Sequence, residues 1–139
     1  MAELSSCATP QLPDNYSFQT TNVIAQDGTA LGTDLYLPKK KGKFPTVLAR
    51  TPYDKNFDAI LPIVKPFLDQ GFAVVIQDCR GRLTSKGEFF PFVDERKDGL
   101  DTVKWIKKQK WSNGKIGGFA GSYNGYTQIA IADVLDVAT

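Results

Sequence analysis

The run FAVVIQD, Phe72 to Asp78, constrains the fold more than any other stretch of the chain. Five consecutive apolar residues follow Gly71 without any polar alternation. A strand wetted on one side alternates apolar with polar residues, whereas a strand covered on both sides reads as a continuous apolar run. FAVVIQD is therefore predicted to be a parallel strand inside a sheet with helices on both faces.

The flanking segments agree with that picture. PTVLAR, Pro45 to Arg50, is a short and mostly apolar strand. Between the two, DAILPIVKPFLDQG reads as a helix with Ile63, Val64, Phe67 and Leu68 on one face and Gly71 as its stop. Pro62 and Pro66 are expected to confine its regular part to the second half. After FAVVIQD a long loop, CRGRLTSKGEFFPFV, leads to Asp94, the expected N-cap, with Glu95 in the first turn. That helix presents Leu100, Val103 and Ile106 to a core and is expected to end near Trp111. Ser112-Asn113-Gly114 then reads as a turn and KIGGFA, Lys115 to Ala120, as a fifth strand.

Upstream, Tyr16 to Ile24 is β-prone and Asp27-Gly28 signals a hairpin. In the return strand LGTDLYLP, Leu31, Thr33, Leu35 and Leu37 share one face, with Asp34 and Tyr36 on the other. From the third strand on, strand and helix alternate, so the class is α/β: an antiparallel hairpin, then parallel strands with helices between them. Residues 1–15 read as a loose lead-in and 16–139 as one unit.

Composition excludes several functions. Seventeen basic against fifteen acidic residues leave a net charge of +2, and no block of five like charges occurs. Nucleic acid and anionic membrane surfaces are not expected partners. Lys39 to Lys43 (KKKGK) reads as a solvated turn. Cys7 and Cys79 are too few for a disulfide framework, and with no histidine in the chain neither a metal site nor a cofactor is expected. No apolar run is long enough for a transmembrane helix. LSSC, Leu4 to Cys7, resembles the end of a bacterial lipoprotein signal, although only MAE precedes it. The residues leave localisation open between the cytoplasm and, if LSSC is the remnant of such a signal, the cell envelope or secretion.

The stretch GGFAGSYNGYTQIAIAD, Gly117 to Asp133, places a serine among glycines and then turns apolar. A nucleophilic serine on a sharp strand-to-helix turn needs small residues around it, because strand and helix approach closely there. Ser122 has Gly121 before it and Gly125 three residues after, with Gly117 and Gly118 in the strand. A strict G-x-S-x-G is absent, since Ala120 and Asn124 stand at the outer positions. The local pattern fits equally a serine that only caps the helix beginning near Tyr123. Dinucleotide and phosphate-loop readings fail, because G-x-G-x-x-G is absent and GRLTSKG has the wrong order.

The segments DGTALGTDLYLP, RTPYDK, FAVVIQDCRGRLTSKGEF and DTVKWIKKQKWSNGKIGGFAGSYNGYTQ occur in that order. Together they resemble the cocaine esterase and X-prolyl dipeptidyl-peptidase family of α/β-hydrolases, over roughly residues 16–130. The family's elbow reads G-x-S-Y-x-G, and A-G-S-Y-N-G matches it except at Ala120. The resemblance implies an α/β-hydrolase fold up to its nucleophile elbow, and hydrolysis of a small-molecule ester or amide through an acyl-enzyme on Ser122. It implies the Tyr123 backbone N–H and the Tyr53 hydroxyl of RTPYDK as oxyanion donors. Loss of one such donor typically costs about 3 kcal/mol of transition-state stabilisation. Asp78, Arg80 and Ser85 match family positions too. Asp78 and Arg80 read as structural groups, in a hydrogen bond or an ion pair with a nearby arginine.

In this fold the triad follows the order serine, acid, histidine. The chain holds no histidine, and Thr139 lies 17 residues beyond Ser122. The expectation is the N-terminal half of a catalytic domain, nearly inactive alone because a serine without a base is a poor nucleophile. The competing expectation is a noncatalytic α/β binding module. The fifth strand, Lys115 to Ala120, is expected to lie at an open sheet edge and to pair with another copy or with the C-terminal half.

Overall fold

The first hairpin follows from local chemistry. β1 (Tyr16–Ile24) and β2 (Ala30–Pro38) pair antiparallel in register from Tyr16 opposite Pro38 to Ile24 opposite Ala30. Gly28, at φ +86°, occupies the left-handed region the turn requires, and its N–H donates to the Ala25 carbonyl at 2.8 Å. These are features of a computed structural model, which describes residues 12–56 and 60–136. Cys7 with the LSSC stretch, and Asp58 and Ala59 at the expected helix start, lie outside the described residues.

β3 (Phe44–Thr51), α1 (Ile60–Asp69), β4 (Ala73–Asp78), α2 (Glu95–Lys107), β5 (Ser112–Gly118) and α3 (Ser122–Ile129) follow, then a short 3-10 turn at Ala132–Val134. The sheet order is β1-β2-β4-β3-β5, with β4 antiparallel to β2 and parallel to β3, and β3 parallel to β5. β4 sits at the centre, and its Ala73, Val74, Val75 and Ile76 are fully buried, as the unbroken apolar run requires. Val74 and Ile76 pack with Val64 and Leu68 of α1, while Ala73 and Val75 pack with Val103 and Ile106 of α2. Each such buried valine, leucine or isoleucine contributes about 1.5–3 kcal/mol. Among the described residues no helix is long and apolar enough to cross a membrane.

Several boundaries differ from the expected ones. α1 is regular from Ile60, with Pro66 inside it. Pro62 falls in the first turn, where its missing N–H has no helical partner to lose, so it breaks nothing. Val64 and Leu68 form the buried seam of α1, and Ile63, rotated off that seam, is 42% exposed. Asp94 stands at the N-cap position of α2 but makes no capping bond; its carboxylate pairs with Lys97 at 3.2 Å. α2 ends at Lys107, short of Trp111.

β5 begins at Ser112 and ends at Gly118, so it takes in the expected turn and leaves out Phe119 and Ala120. The turn chemistry is still present. Ser112 Oγ accepts the Gly114 N–H, Asn113 Oδ1 accepts the Lys115 N–H, and the pairing with β3 shifts register between Phe44 and Thr46. β5 is the edge strand, but its edge is not uniformly open. The Ile116 N–H donates to Asp136 Oδ2 at 2.8 Å, and the Ile116 carbonyl accepts the Asp136 N–H at 2.7 Å. One residue thus satisfies both outward groups of Ile116.

Candidate active site

Two loops at the C-terminal ends of β3 and β5 meet. The first, after Thr51, is held at several points. Thr51 Oγ1 accepts the Tyr53 N–H at 3.0 Å, and Arg82 Nε donates to the Pro52 carbonyl at 2.8 Å. Asp78, at the end of β4, accepts the Lys55 N–H at 2.8 Å on one carboxylate oxygen. Its other oxygen accepts the Thr84 N–H and hydroxyl at 3.1 and 2.7 Å. Asp78 therefore ties the Tyr53 loop to the loop after β4, and Ser85 Oγ, bonded to the Asp78 carbonyl and the Gly32 N–H, continues the tie to β2. Of the two structural contacts expected for Asp78 it is the hydrogen bond that forms, and among the described residues no arginine pairs with it. Arg80 faces the other way, onto Asp98 at 2.6 and 2.9 Å and Asp27 at 2.9 Å. Asp78 accepts main-chain and hydroxyl donors instead because its loop needs its N–H groups satisfied.

The second loop is the strand-to-helix turn. Gly121 is extended at φ −120°, and Ser122, first residue of α3, is at φ +55°. A non-glycine residue held there costs about 1–3 kcal/mol, so the surroundings must enforce it. Gly118 explains part of the closeness: a Cβ there would stand 1.7 Å from Gln128 Oε1 of α3. Gly125 is under less pressure, since a Cβ there would meet the Ala120 carbonyl at an ordinary 3.6 Å.

Ser122 does not cap the helix, because Gly121 holds the cap position and no side chain makes a capping bond. Its Oγ lies 3.2 Å from Tyr53 Oη. The two candidates from segments 69 residues apart thus share one exposed point above the sheet, with Tyr53 59% exposed. The Tyr123 N–H, in the first turn of α3, has no acceptor within the helix.

The Tyr123 side chain turns inward. Its hydroxyl donates to Glu95 Oε1 at 3.0 Å and accepts the Phe92 N–H at 3.0 Å. Burial, with the Glu95 carboxylate nearby, pushes its phenol up to about 12. Glu95 in turn receives Arg50 Nη1 at 2.7 Å, and both residues are buried. Arg50 and Glu95 were not among the sequence candidates. A charged residue ending the apolar strand PTVLAR was the available signal. Cys79, next to Asp78, is a buried free thiol whose pKa burial raises.

The sequence profile of the X-Pro dipeptidyl-peptidase (S15) family matches residues 27–136. The chain belongs to that family. It shares sequence with the cocaine esterase of Rhodococcus sp. (strain MB1 Bresler), 43% identical over 120 residues, covering 82% of this chain and 21% of that protein. Among solved structures, an α-amino acid ester hydrolase superposes with TM-score 0.75 at 28% identity, over 94% of this chain and 26% of that one. A CocE/NonD family hydrolase from Staphylococcus aureus superposes with TM-score 0.76 at 26% identity, over 86% and 26%. The fold is that of the α/β-hydrolases, and the chain spans about a fifth of the length of the curated relatives it matches.

Proposed function

We propose that this chain carries the nucleophile and the oxyanion site of a serine hydrolase acting on carboxylic esters or amides. The observation that carries the reading is Ser122, at φ +55° on a strand-to-helix turn, with its Oγ 3.2 Å from Tyr53 Oη. Ser122 Oγ attacks the substrate carbonyl carbon while its proton passes to a base. The carbonyl oxygen, now an oxyanion, receives the Tyr123 N–H and the Tyr53 O–H. Donors fixed in place before charge develops need no reorganisation when it does. Collapse of the tetrahedral intermediate breaks the bond to the alcohol or amine, which takes the proton back from the base. Water then attacks the acyl-Ser122 ester by the same steps in reverse.

The sequence has no histidine, so the base is supplied from outside these 139 residues, together with its orienting acid. The relatives named for ester substrates favour an ester over an amide. The outer edge of β5 is the surface we assign to pairing with a further strand, from another copy or from the segment that supplies the base.

The test is ester hydrolysis by the natural full-length chain. Wild type should turn over p-nitrophenyl acetate and be labelled on Ser122 by a fluorophosphonate, and Ser122→Ala should lose both. The 139-residue chain should be no faster than its own Ser122→Ala variant. Full-length turnover that survives Ser122→Ala would refute the assignment, and a full-length chain that never turns over any ester would support a binding module instead.

A further inference from the structure

Tyr123 has two ends with different surroundings. Its main chain belongs to the exposed turn at Ser122, and its hydroxyl is held inside by Glu95 and Phe92. The ring is packed as well, with centroids 5.0 Å from Phe92, 5.9 Å from Phe89 and 5.9 Å from Tyr126. Glu95 is 2% exposed, and its second carboxylate oxygen takes Arg50 Nη1, which also donates to the Glu95 carbonyl at 3.0 Å. Arg50 is fully buried, and its Nε donates to Gln77 Oε1 at 2.7 Å. Gln77 Oε1 also accepts Thr102 Oγ1, and Gln77 Nε2 donates to Thr33 Oγ1.

Arg50 lies in β3, the strand whose end carries Tyr53. Its carbonyl also accepts Thr127 Oγ1 of α3 at 3.3 Å. A chain of charged hydrogen bonds therefore runs from the strand beneath one oxyanion donor to the side chain of the residue that provides the other. We propose that the buried Arg50–Glu95 ion pair is a positioning unit for the oxyanion site. It holds the Tyr123 main chain at a fixed place relative to Tyr53. The inference rests on the reading of Ser122 as nucleophile.

Physical reasons favour this role over packing alone. A catalytic group has to be held within about 0.5 Å of its productive geometry by the residues around it. The first residues of a helix fray unless something outside the helix restrains them. Charge-assisted bonds in a water-free site are short and about twice as strong as neutral ones, and they resist rearrangement. A neutral apolar contact at Tyr123 would fill the same space with less control over orientation.

Tyr123→Phe tests the proposal in the natural full-length chain, because it keeps the ring in its aromatic cluster and removes only the hydroxyl that Glu95 holds. Values of kcat are referred to the folded fraction read by circular dichroism, which separates lost turnover from lost stability. Ile106→Val, a core change in α2 far from the turn, serves as the control for stability. The expected result is a kcat for p-nitrophenyl acetate lowered about tenfold in Tyr123→Phe with KM within about twofold. Glu95→Gln should lower kcat in the same sense, and Ile106→Val should leave it unchanged. Wild-type kcat in Tyr123→Phe, with Ser122→Ala inactive, would overturn the positioning role alone. Full turnover in Ser122→Ala would overturn the site assignment beneath it.

Discussion

Replacing Arg50 with methionine should destabilise the fold severely, and the size of the effect can be worked from its contacts. The guanidinium gives three hydrogen bonds, to Gln77 Oε1, Glu95 Oε2 and the Glu95 carbonyl, with no exposure to water. After the change Gln77 Oε1 keeps Thr102, and Glu95 Oε1 keeps Tyr123, but Glu95 Oε2 loses its cation. Removing one partner of a buried pair costs about 3–5 kcal/mol, because the other charge is left uncompensated. Glu95 is the residue that bears this cost, so about 4 kcal/mol is the expected loss. That is a large part of the roughly 5–15 kcal/mol of a typical domain. Neutralising the orphan should recover some of it. Arg50→Met with Glu95→Gln should be about 2 kcal/mol more stable than the sum of the single changes. Urea unfolding followed by the fluorescence of Trp105 and Trp111, which pack on the same core, measures all four proteins. The midpoint of Arg50→Met should fall by about 2–3 M at an unchanged slope. A midpoint within about 0.5 M of wild type, or a double variant no better than additive, would refute the reasoning.

Three further outcomes follow from particular contacts. Gly118→Ala should lower stability by about 1 kcal/mol in urea unfolding, because the new methyl displaces the Gln128 side chain that donates to the Leu48 carbonyl at 2.9 Å. Equal stability would mean that Gln128 is not held there. Tyr16, Tyr36 and Tyr123 have phenols pushed up to about 12 from 10.0, chiefly by burial. The native state keeps those protons longer than the unfolded chain does, so stability is complete below pH 10 and declines as pH rises toward 12. Absorbance at 295 nm during a pH titration checks this, and ionisation of all phenols near 10 would contradict it. Asp136→Ala removes the carboxylate that accepts the Ile116 N–H and keeps only the main-chain bond to the Ile116 carbonyl, so sedimentation velocity at micromolar concentration should show stronger self-association than wild type; monodisperse monomers of both proteins would show an edge that does not pair.

How much could be read from the residues differs by kind of information. β4 was legible because its unbroken apolar run has no equivalent in the other strands, whereas β2, buried on both faces too, carries Thr33 and Asp34 and gives no such signal. The hairpin was legible because Asp27-Gly28 and the alternation of β2 are local signals. The boundaries of α1 and β5 were less so. Whether Pro62 breaks a helix depends on which turn it occupies, and Ser112 to Gly114 can bend and still pair with β3. At the candidate site, the glycines around Ser122 fitted a sharp turn and a helix cap equally, and Tyr53 entered only through the family resemblance of several segments; the contact between the two hydroxyls is what the structure adds. The Arg50–Glu95–Tyr123 chain joins three segments, and none of them shows which partner the others supply. Arg50 and Gln77 do stand out, as polar residues ending apolar strands. The cap of Asp136 on Ile116 is likewise a tertiary fact, with no spacing rule behind it.

Ser122 is held at φ +55°, where a glycine would sit without strain. A laboratory selection that rewarded only heat resistance in this chain would therefore favour glycine at position 122, gaining about 1 kcal/mol from relief of the backbone. It would discard the hydroxyl at the same stroke. Thermostable variants raised without a functional screen should thus be sequenced at this position first, since the fold and the serine have opposing interests there.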